Sequence, residues 1–428
     1  QEILSLQDLS LKETIFKYSN GFLSGKTGIE NVYDQELRGF FGKKIYEVDA
    51  SGRLLKEIDT IPALDGKDIH TSLDLKSQQV AFRELKNRRG SVVAVDISDG
   101  AIVTYLSSPS FSVNKIANGL SQNDFNELIE DKNKPFFDRA AQGRYSPAST
   151  IKPAIGLFGL ENNIIDWDFT IDDPGYFELP EDGRIYRGWK KGGHGKINLQ
   201  DAIIESSNTF FFSLAYKSEI EELIKHLSYF GFGRNVCLDC FLPDNGLLPN
   251  PAWKMNTLNF GWFKGDTVNL GVGQGYMSAT PLQLAYYSAF IANKGALNKF
   301  SFVQDDKTLP KDVFYIGNID DKDWEKIHKS MIGVIEHPKG TAGRLRELKD
   351  YIIAAKSGTV ELVSTDTKED YKIIREEEAK RDHAIIVAFG PMPNPKYAVS
   401  VVIENGESGG SVAGPVAIEV LNSLLDYE

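Results

Sequence analysis

Three short runs in this sequence bring together the residue types that acyl transfer through a serine ester needs. The first is Ser149-Thr150-Ile151-Lys152, which follows Tyr145-Ser146-Pro147 and opens an apolar-periodic stretch with Ile151, Ile155, Phe158 and Leu160. That periodicity predicts a helix, and a spacing of three puts Ser149 and Lys152 on one helical face. A serine hydroxyl attacks poorly until a base takes its proton. A lysine is such a base only when burial or a nearby cation lowers its pKa. Ser149 would sit at the helix start, where unpaired N–H groups and the positive dipole end favour developing negative charge. The same spacing also arises from a capping serine followed by a surface lysine.

The second run is Ser206-Ser207-Asn208, between an amphipathic helix (Leu199, Ala202, Ile203) and an apolar run from Phe210 to Leu214. It reads either as a helix junction with Ser and Asn capping the second helix, or as a proton relay (Ser206) beside an amide that holds the lysine and substrate backbone (Asn208). The third is Lys356-Ser357-Gly358-Thr359, after an Ile-Ile-Ala-Ala run. On an edge strand it offers a cation, two hydroxyls and backbone N–H groups, with Gly358 permitting close approach of a substrate backbone. The plainer alternative is a strand end followed by a turn. Each plain reading is adequate alone. Chance matches multiply, so the three together in this order favour the catalytic reading.

Elements of two periods must position these runs. Ser91 to Ile97 is β-branched and apolar, Asp99-Gly100 signals a two-residue turn, and Ala101 to Leu106 returns. A second β-rich zone lies downstream: Ile352 to Ala355, then His383 to Phe389 and Tyr397 to Ile403 around a Pro391–Pro395 turn. The chain closes in a helical stretch, Val412 to Leu425. Between the β zones the sequence reads as mostly helical. Thr280-Pro281-Leu282-Gln283 carries a capping box and an N1 proline, and Gly295 closes that helix. The expected class is α+β: a five-stranded, largely antiparallel sheet with helices packed on it and a helical insertion.

At 428 residues the chain exceeds the usual size of a single core. We expect a small, polar N-terminal module with its linker over residues 1–75 and the main domain over 76–428. The net charge of -12 argues against a general nucleic-acid binder. No apolar run is long enough to span a membrane. The first residue is Gln, which leads us to expect that the native chain continues upstream. Cys237 and Cys240 form a lone C-x-x-C pair, too few thiols for a four-cysteine zinc site, and we expect them to be structural or incidental.

The three runs form the set shared by serine β-lactamases and penicillin-binding proteins. The chain resembles the class B, monofunctional penicillin-binding proteins, in particular those of cell elongation. The likeness covers nearly the whole chain. It is carried by Tyr145 to Pro153, Trp189-Lys-Lys-Gly-Gly-His-Gly195, Gly271-Val-Gly-Gln-Gly-Tyr276 with Ala279-Thr-Pro281, Arg381-Asp-His383, and Gly25-Lys-Thr-Gly-Ile-Glu30 at the end of an N-terminal pedestal. Ser357 stands where many relatives have Thr; both carry a hydroxyl. Some relatives bind zinc near the second run. The matching positions here are Asp173, Gly188, His194 and Ser207, of which only the carboxylate and imidazole can ligate, so no metal is expected. His194 is expected to make a structural hydrogen bond instead.

The resemblance implies a peptidoglycan D,D-transpeptidase that needs no cofactor. Ser149 attacks the carbonyl between two terminal D-alanines of a stem peptide, and Lys152 takes its proton. The N–H groups of Ser149 and Thr359 hold the oxyanion. Ser206 and Lys356 return a proton to the departing D-alanine, with Asn208 as the supporting amide. Lys356, Ser357 and Thr359 bind the substrate carboxylate, with Gly358 between them. β-Lactams would acylate the same serine. Implied partners are a membrane glycan polymerase of the SEDS family and an elongation scaffold protein. The implied location is the periplasmic face of the inner membrane, below an upstream anchoring helix. A D,D-carboxypeptidase and a β-lactam-binding sensor or scaffold without turnover are the alternatives. A serine β-lactamase would need a deacylation base, and no Glu lies in a recognisable water-activating motif. The basic run Arg184, Arg187, Lys190, Lys191, Lys196 reads as a solvated face or a contact for anionic polymer. The charged stretch Glu361–Arg381 reads as a loop near the site, a gate in one reading.

Overall fold

The computed structural model describes residues 24–303, 313–316, 319–362 and 375–426. Its first part is a small module: short helices at Gly28–Val32 and Asp34–Arg38, then an antiparallel hairpin of β1 (Lys43–Val48) and β2 (Leu54–Ile61). Every residue of both strands is exposed. Asn31 and Asp34 tie the module internally, the latter by accepting from Gly25 N at 2.8 Å. Tyr33 reaches the main body, where its hydroxyl donates to the buried Asp239 carboxylate at 3.0 Å.

The main body is built on one sheet of β3 (Gly90–Asp96), β4 (Ile102–Ser108), β5 (Ala354–Val360), β6 (His383–Gly390) and β7 (Tyr397–Ile403). The spatial order is β5-β6-β7-β3-β4, and every neighbouring pair is antiparallel. β3, β6 and β7 are buried along nearly their whole length, which explains continuous apolar runs where a half-exposed sheet would alternate. Helices cover both faces. α1 (Leu75–Leu85) packs on α6 (Gly414–Leu425) on one side, and α5 (Pro281–Ala292) lies across β3, β6 and β7 on the other. Thr280 caps α5 with the expected box: its Oγ1 accepts from Gln283 N at 3.1 Å, and its N–H donates to Gln283 Oε1 at 3.0 Å.

Several sequence expectations change in detail. The β3–β4 connection is not a two-residue turn. The ladder closes where Asp96 N donates to Ala101 O, leaving four residues in the loop, because the Asp96 carboxylate accepts from both Ser98 N and Ser98 Oγ. Lys356 to Thr359 do not end a strand. β5 begins at Ala354 and runs through them to Val360, paired with β6 throughout. α5 ends at Ala292 and Gly295 closes it, its N–H donating to Phe290 O at 2.9 Å, while the left-handed position before it is taken by Lys294, whose N–H donates to Ile291 O at 3.0 Å. The region between the β zones also holds two-stranded pairs, Thr170–Asp173 with Gly195–Asn198 and Tyr176–Glu178 with Ile185–Arg187. Strands this short, rich in charge, have no readable period. Cys237 and Cys240 are joined in a disulfide. No helix among the described residues is long and apolar enough to cross a membrane. Much of Glu361–Arg381 lies outside the described residues.

Candidate active site

The first of the three runs folds as a 3₁₀ turn, Ala148–Ile151, that leads directly into α2 (Lys152–Glu161). Side chains three apart eclipse in a 3₁₀ turn, so Ser149 and Lys152 still share a face. Ala148 takes a left-handed conformation, φ 48°, which costs a residue with a Cβ about 1 kcal/mol or more. The turn is pinned from below. Ala148 N donates to Gly273 O at 2.9 Å, Ser146 Oγ donates to the same carbonyl, and Thr150 Oγ1 donates to Pro147 O at 2.6 Å. Tyr287 of α5 donates to Thr150 O at 2.7 Å, which anchors the turn to the helix beneath the sheet. Ser149 is half-buried, open on one side, while Lys152 is wholly buried.

The second run lies between α3 (Leu199–Ile204) and α4 (Asn208–Tyr216). Ser207 caps α4 by accepting from Phe210 N at 3.2 Å, so the capping reading holds for this residue. Ser206 is left-handed, φ 57°, and that kink turns its carbonyl and hydroxyl inward together. Lys152 Nζ lies 2.9 Å from Ser206 O, 2.7 Å from Asn208 Oδ1 and 3.2 Å from Ser206 Oγ. The two carbonyl oxygens only accept, so they suit the two hydrogens of a neutral amine and leave its lone pair for a hydroxyl proton. Burial pushes the Lys152 ammonium well below its usual pKa, and the cation of Lys356 pushes the same way; Asp173 opposes them.

β5 completes the cluster. Alternation along the strand sends Lys356 and Gly358 toward the turn that carries Ser149. Lys356 Nζ lies 3.0 Å from Ser206 Oγ and 3.1 Å from Ser357 O, and burial brings its pKa down to about 7. One hydroxyl, Ser206, therefore bridges two buried lysines. Gly358 has no room for a side chain: a Cβ there would lie 3.0 Å from Thr150 Cγ2 and 3.2 Å from Pro147 O. Ser357 Oγ pairs with Thr341 Oγ1 at 3.0 Å. The structure thus draws Lys152, Ser206, Asn208 and Lys356 into one hydrogen-bonded cluster, with Gly358 against the turn that carries Ser149. It shows no direct contact of Thr359 with that cluster.

The surroundings hold residues that the motifs do not announce. Asp173 is buried and accepts from Ser207 Oγ at 2.7 Å, while His194 Nδ1 meets the same oxygen at 2.5 Å. Burial would raise this carboxyl, but the bonds from His194 and Ser207 outweigh it and hold it below the usual range. Glu205 is clamped by Lys190 at 3.3 Å and Lys339 at 3.1 Å. Trp189 Nε1 donates to Ser206 O at 3.1 Å. Of the basic run, Lys190 thus has a built contact, while Arg184, Arg187, Lys191 and Lys196 are exposed. No local spacing links Lys339 or Thr341 to this site, so sequence reasoning missed them.

The donor set does not fit a zinc ion. Gly188 has no ligand atom, and the Ser207 hydroxyl and His194 Nδ1 are both spent on Asp173. One imidazole nitrogen, His194 Nε2, is buried without a partner among the described residues. A carboxylate and one imidazole are too few for a closed tetrahedral site.

Comparisons with known proteins agree with this geometry. A family model described as the penicillin-binding protein transpeptidase domain matches residues 90–422, and one described as the penicillin-binding protein dimerisation domain matches residues 2–71. The chain is 38% identical to the peptidoglycan D,D-transpeptidase MrdA of Acinetobacter baumannii over 419 residues, 96% of this chain and 61% of that protein. It therefore spans less than two thirds of that relative's length. The crystal structure of Pseudomonas aeruginosa PBP2 in complex with WCK 5153 superposes with a TM-score of 0.81 at 36% identity, covering 95% of this chain and 85% of that one. Helicobacter pylori PBP2, in its complex with MreC, gives 0.85 at 32% identity, covering 99% and 75%. With these matches and the three runs assembled around one buried lysine, the chain belongs to the class B penicillin-binding proteins, in the branch of the PBP2-like, MrdA-type transpeptidases.

Proposed function

We propose that this chain carries the catalytic domain of a peptidoglycan D,D-transpeptidase that acts in cell elongation and is inactivated by β-lactams. The observation that carries this reading is Lys152, wholly buried, with its nitrogen on Ser206 and Asn208 and its pKa lowered beside a serine-bearing turn. Ser149 Oγ bonds to the penultimate D-alanine carbonyl carbon while its proton passes to Lys152 Nζ. The carbon–nitrogen bond to the terminal D-alanine then breaks. Ser206, between the two lysines, carries a proton toward the leaving amine. An amine of a neighbouring stem peptide attacks the ester and frees Ser149. Backbone N–H groups of Ser149 and Thr359 are assigned to the oxyanion; losing one such donor costs about 3–4 kcal/mol in other enzymes. Lys356, with the Ser357 and Thr359 hydroxyls, is assigned to the substrate carboxylate, and Gly358 admits the substrate backbone.

The Helicobacter pylori PBP2–MreC complex supports a scaffold protein of the MreC kind as partner; a SEDS-type glycan polymerase as a second partner and a periplasmic location below a membrane anchor rest on the family resemblance. We also assign residues 1–75 to the N-terminal module and linker, and 76–428 to the catalytic domain. The test is mass spectrometry after benzylpenicillin, beside Ser149→Ala. A stable adduct mapped to Ser149 and lost in the variant is expected. An adduct elsewhere, or none, sinks the assignment of the nucleophile. Release of D-alanine with transfer to an added amine separates a transpeptidase from a carboxypeptidase, which would use water, and from a sensor, which would not turn over.

A further inference from the structure

Of the five tryptophans in the chain, Trp189 alone is exposed, with 58% of its surface open. An indole in the open is usually loosely held; this one is fixed on two sides. Its Nε1 donates to Ser206 O at 3.1 Å, the carbonyl that also accepts from Lys152 Nζ at 2.9 Å. Its ring meets His194 edge to face, with centroids 5.8 Å apart, and Asp173 holds that imidazole at 2.5 Å. The next residue, Lys190, is tied to Glu205, directly before Ser206. The result is a rigid aromatic surface, facing solvent, at the rim of the cluster that holds both lysines. A rigid aromatic with one polar handle contributes contact area at little entropic cost, which is what recognition of an extended, partly apolar ligand requires.

We propose that Trp189 is a specificity-determining residue whose ring packs on the D-alanine-ended donor stem peptide, beyond the atoms that a small β-lactam shares with it. This rests on the transpeptidase reading above. The indole N–H and the ring then have separable roles. The N–H steadies the Ser206 carbonyl and serves every acylating ligand alike, whereas the ring discriminates in favour of the longer peptide.

The experiment compares Trp189→Leu and Trp189→Phe with the parent chain. Two rate constants are read for each: acylation by benzylpenicillin, and thiol release from a thioester analogue of a pentapeptide stem. Trp189→Leu is expected to lower the peptide-to-penicillin ratio about tenfold, mainly through KM, as fits the loss of one aromatic contact. Trp189→Phe keeps a ring without the N–H, so its ratio is expected within about threefold of the parent while both rates fall together. If Trp189→Leu lowers both rates equally, the ring does not touch the peptide, and Trp189 only supports Ser206. If the parent chain reacts with penicillin and never with the thioester, the transpeptidase reading fails and takes this inference with it.

Discussion

The hairpin of β1 and β2 and the sheet pair of β7 and β3 share an antiparallel ladder and differ in everything that surrounds it. Both strands of the hairpin are exposed at every position, including Ile45, Leu54, Leu55 and Ile58. β7 and β3 are buried at nearly every position, with α5 across both on one face and α6 packed on β7. A two-stranded ribbon closes its backbone bonds but has no face on which to bury apolar area, so its strands add little stability of their own. The five-stranded sheet has two covered faces and is stiff enough to hold catalytic groups. The site uses that stiffness. Lys356 and Gly358 come from a strand laced to β6 throughout, and the strained turns at Ala148 and Ser206 face it. Left-handed residues of this kind persist only where their surroundings over-determine them.

The contrast can be broken most severely at the site. Lys152→Met is expected to lower acylation by benzylpenicillin by about 10³-fold, as fits loss of a positioned general base, with the chain still folded by circular dichroism. A drop below tenfold would place the base elsewhere. In the sheet, Phe389→Ala empties a wholly buried position of β6 and is expected to cost about 3–5 kcal/mol in urea denaturation. Gly358→Ala pushes a methyl toward Thr150 and Pro147. It should slow acylation about tenfold while costing about 1–3 kcal/mol of stability; unchanged acylation would show that the turn yields freely.

Lys356 carries a pH signature. Its folded pKa of about 7 lies below the ordinary lysine value of 10.5, so between these pH values the unfolded chain binds the extra proton. Stability should therefore rise with pH across that window. The burial penalty is fully present below about pH 7 and is relieved toward pH 10.5. Lys356→Met removes the penalty, so its stability relative to the parent should be most favourable at pH 6 and decline as pH rises. A difference independent of pH would show that Lys356 titrates normally. The smallest effect is expected in the hairpin, where Ile58, 63% exposed, should tolerate Ala within about 0.5 kcal/mol. A larger loss would show that the ribbon carries a core of its own.

Much of this protein was legible before any coordinates. The β-branched runs that became β3, β6 and β7, the capping box at Thr280 and the helix that follows Ser149 all rest on neighbours within a few residues, and periodicity and capping are local in that sense. The Ser-x-x-Lys spacing survived a change from α-helix to 3₁₀ turn because side chains three apart meet in both. The short strands around Asp173 and the four-residue β3–β4 loop were not legible. Each depends on a carboxylate or a partner strand rather than on a pattern of its own.

The sequence by itself singled out the residues to which the chemistry is assigned and most of the elements that bear them. Tertiary structure alone decided that Lys152 is buried with a lowered pKa, that Ser206 bridges it to Lys356, and that Trp189 and Asp173 belong to the same cluster. The reason is physical. Burial and Coulomb interaction depend on distance through space, and the groups that set the charge of Lys152 come from segments far apart in the chain.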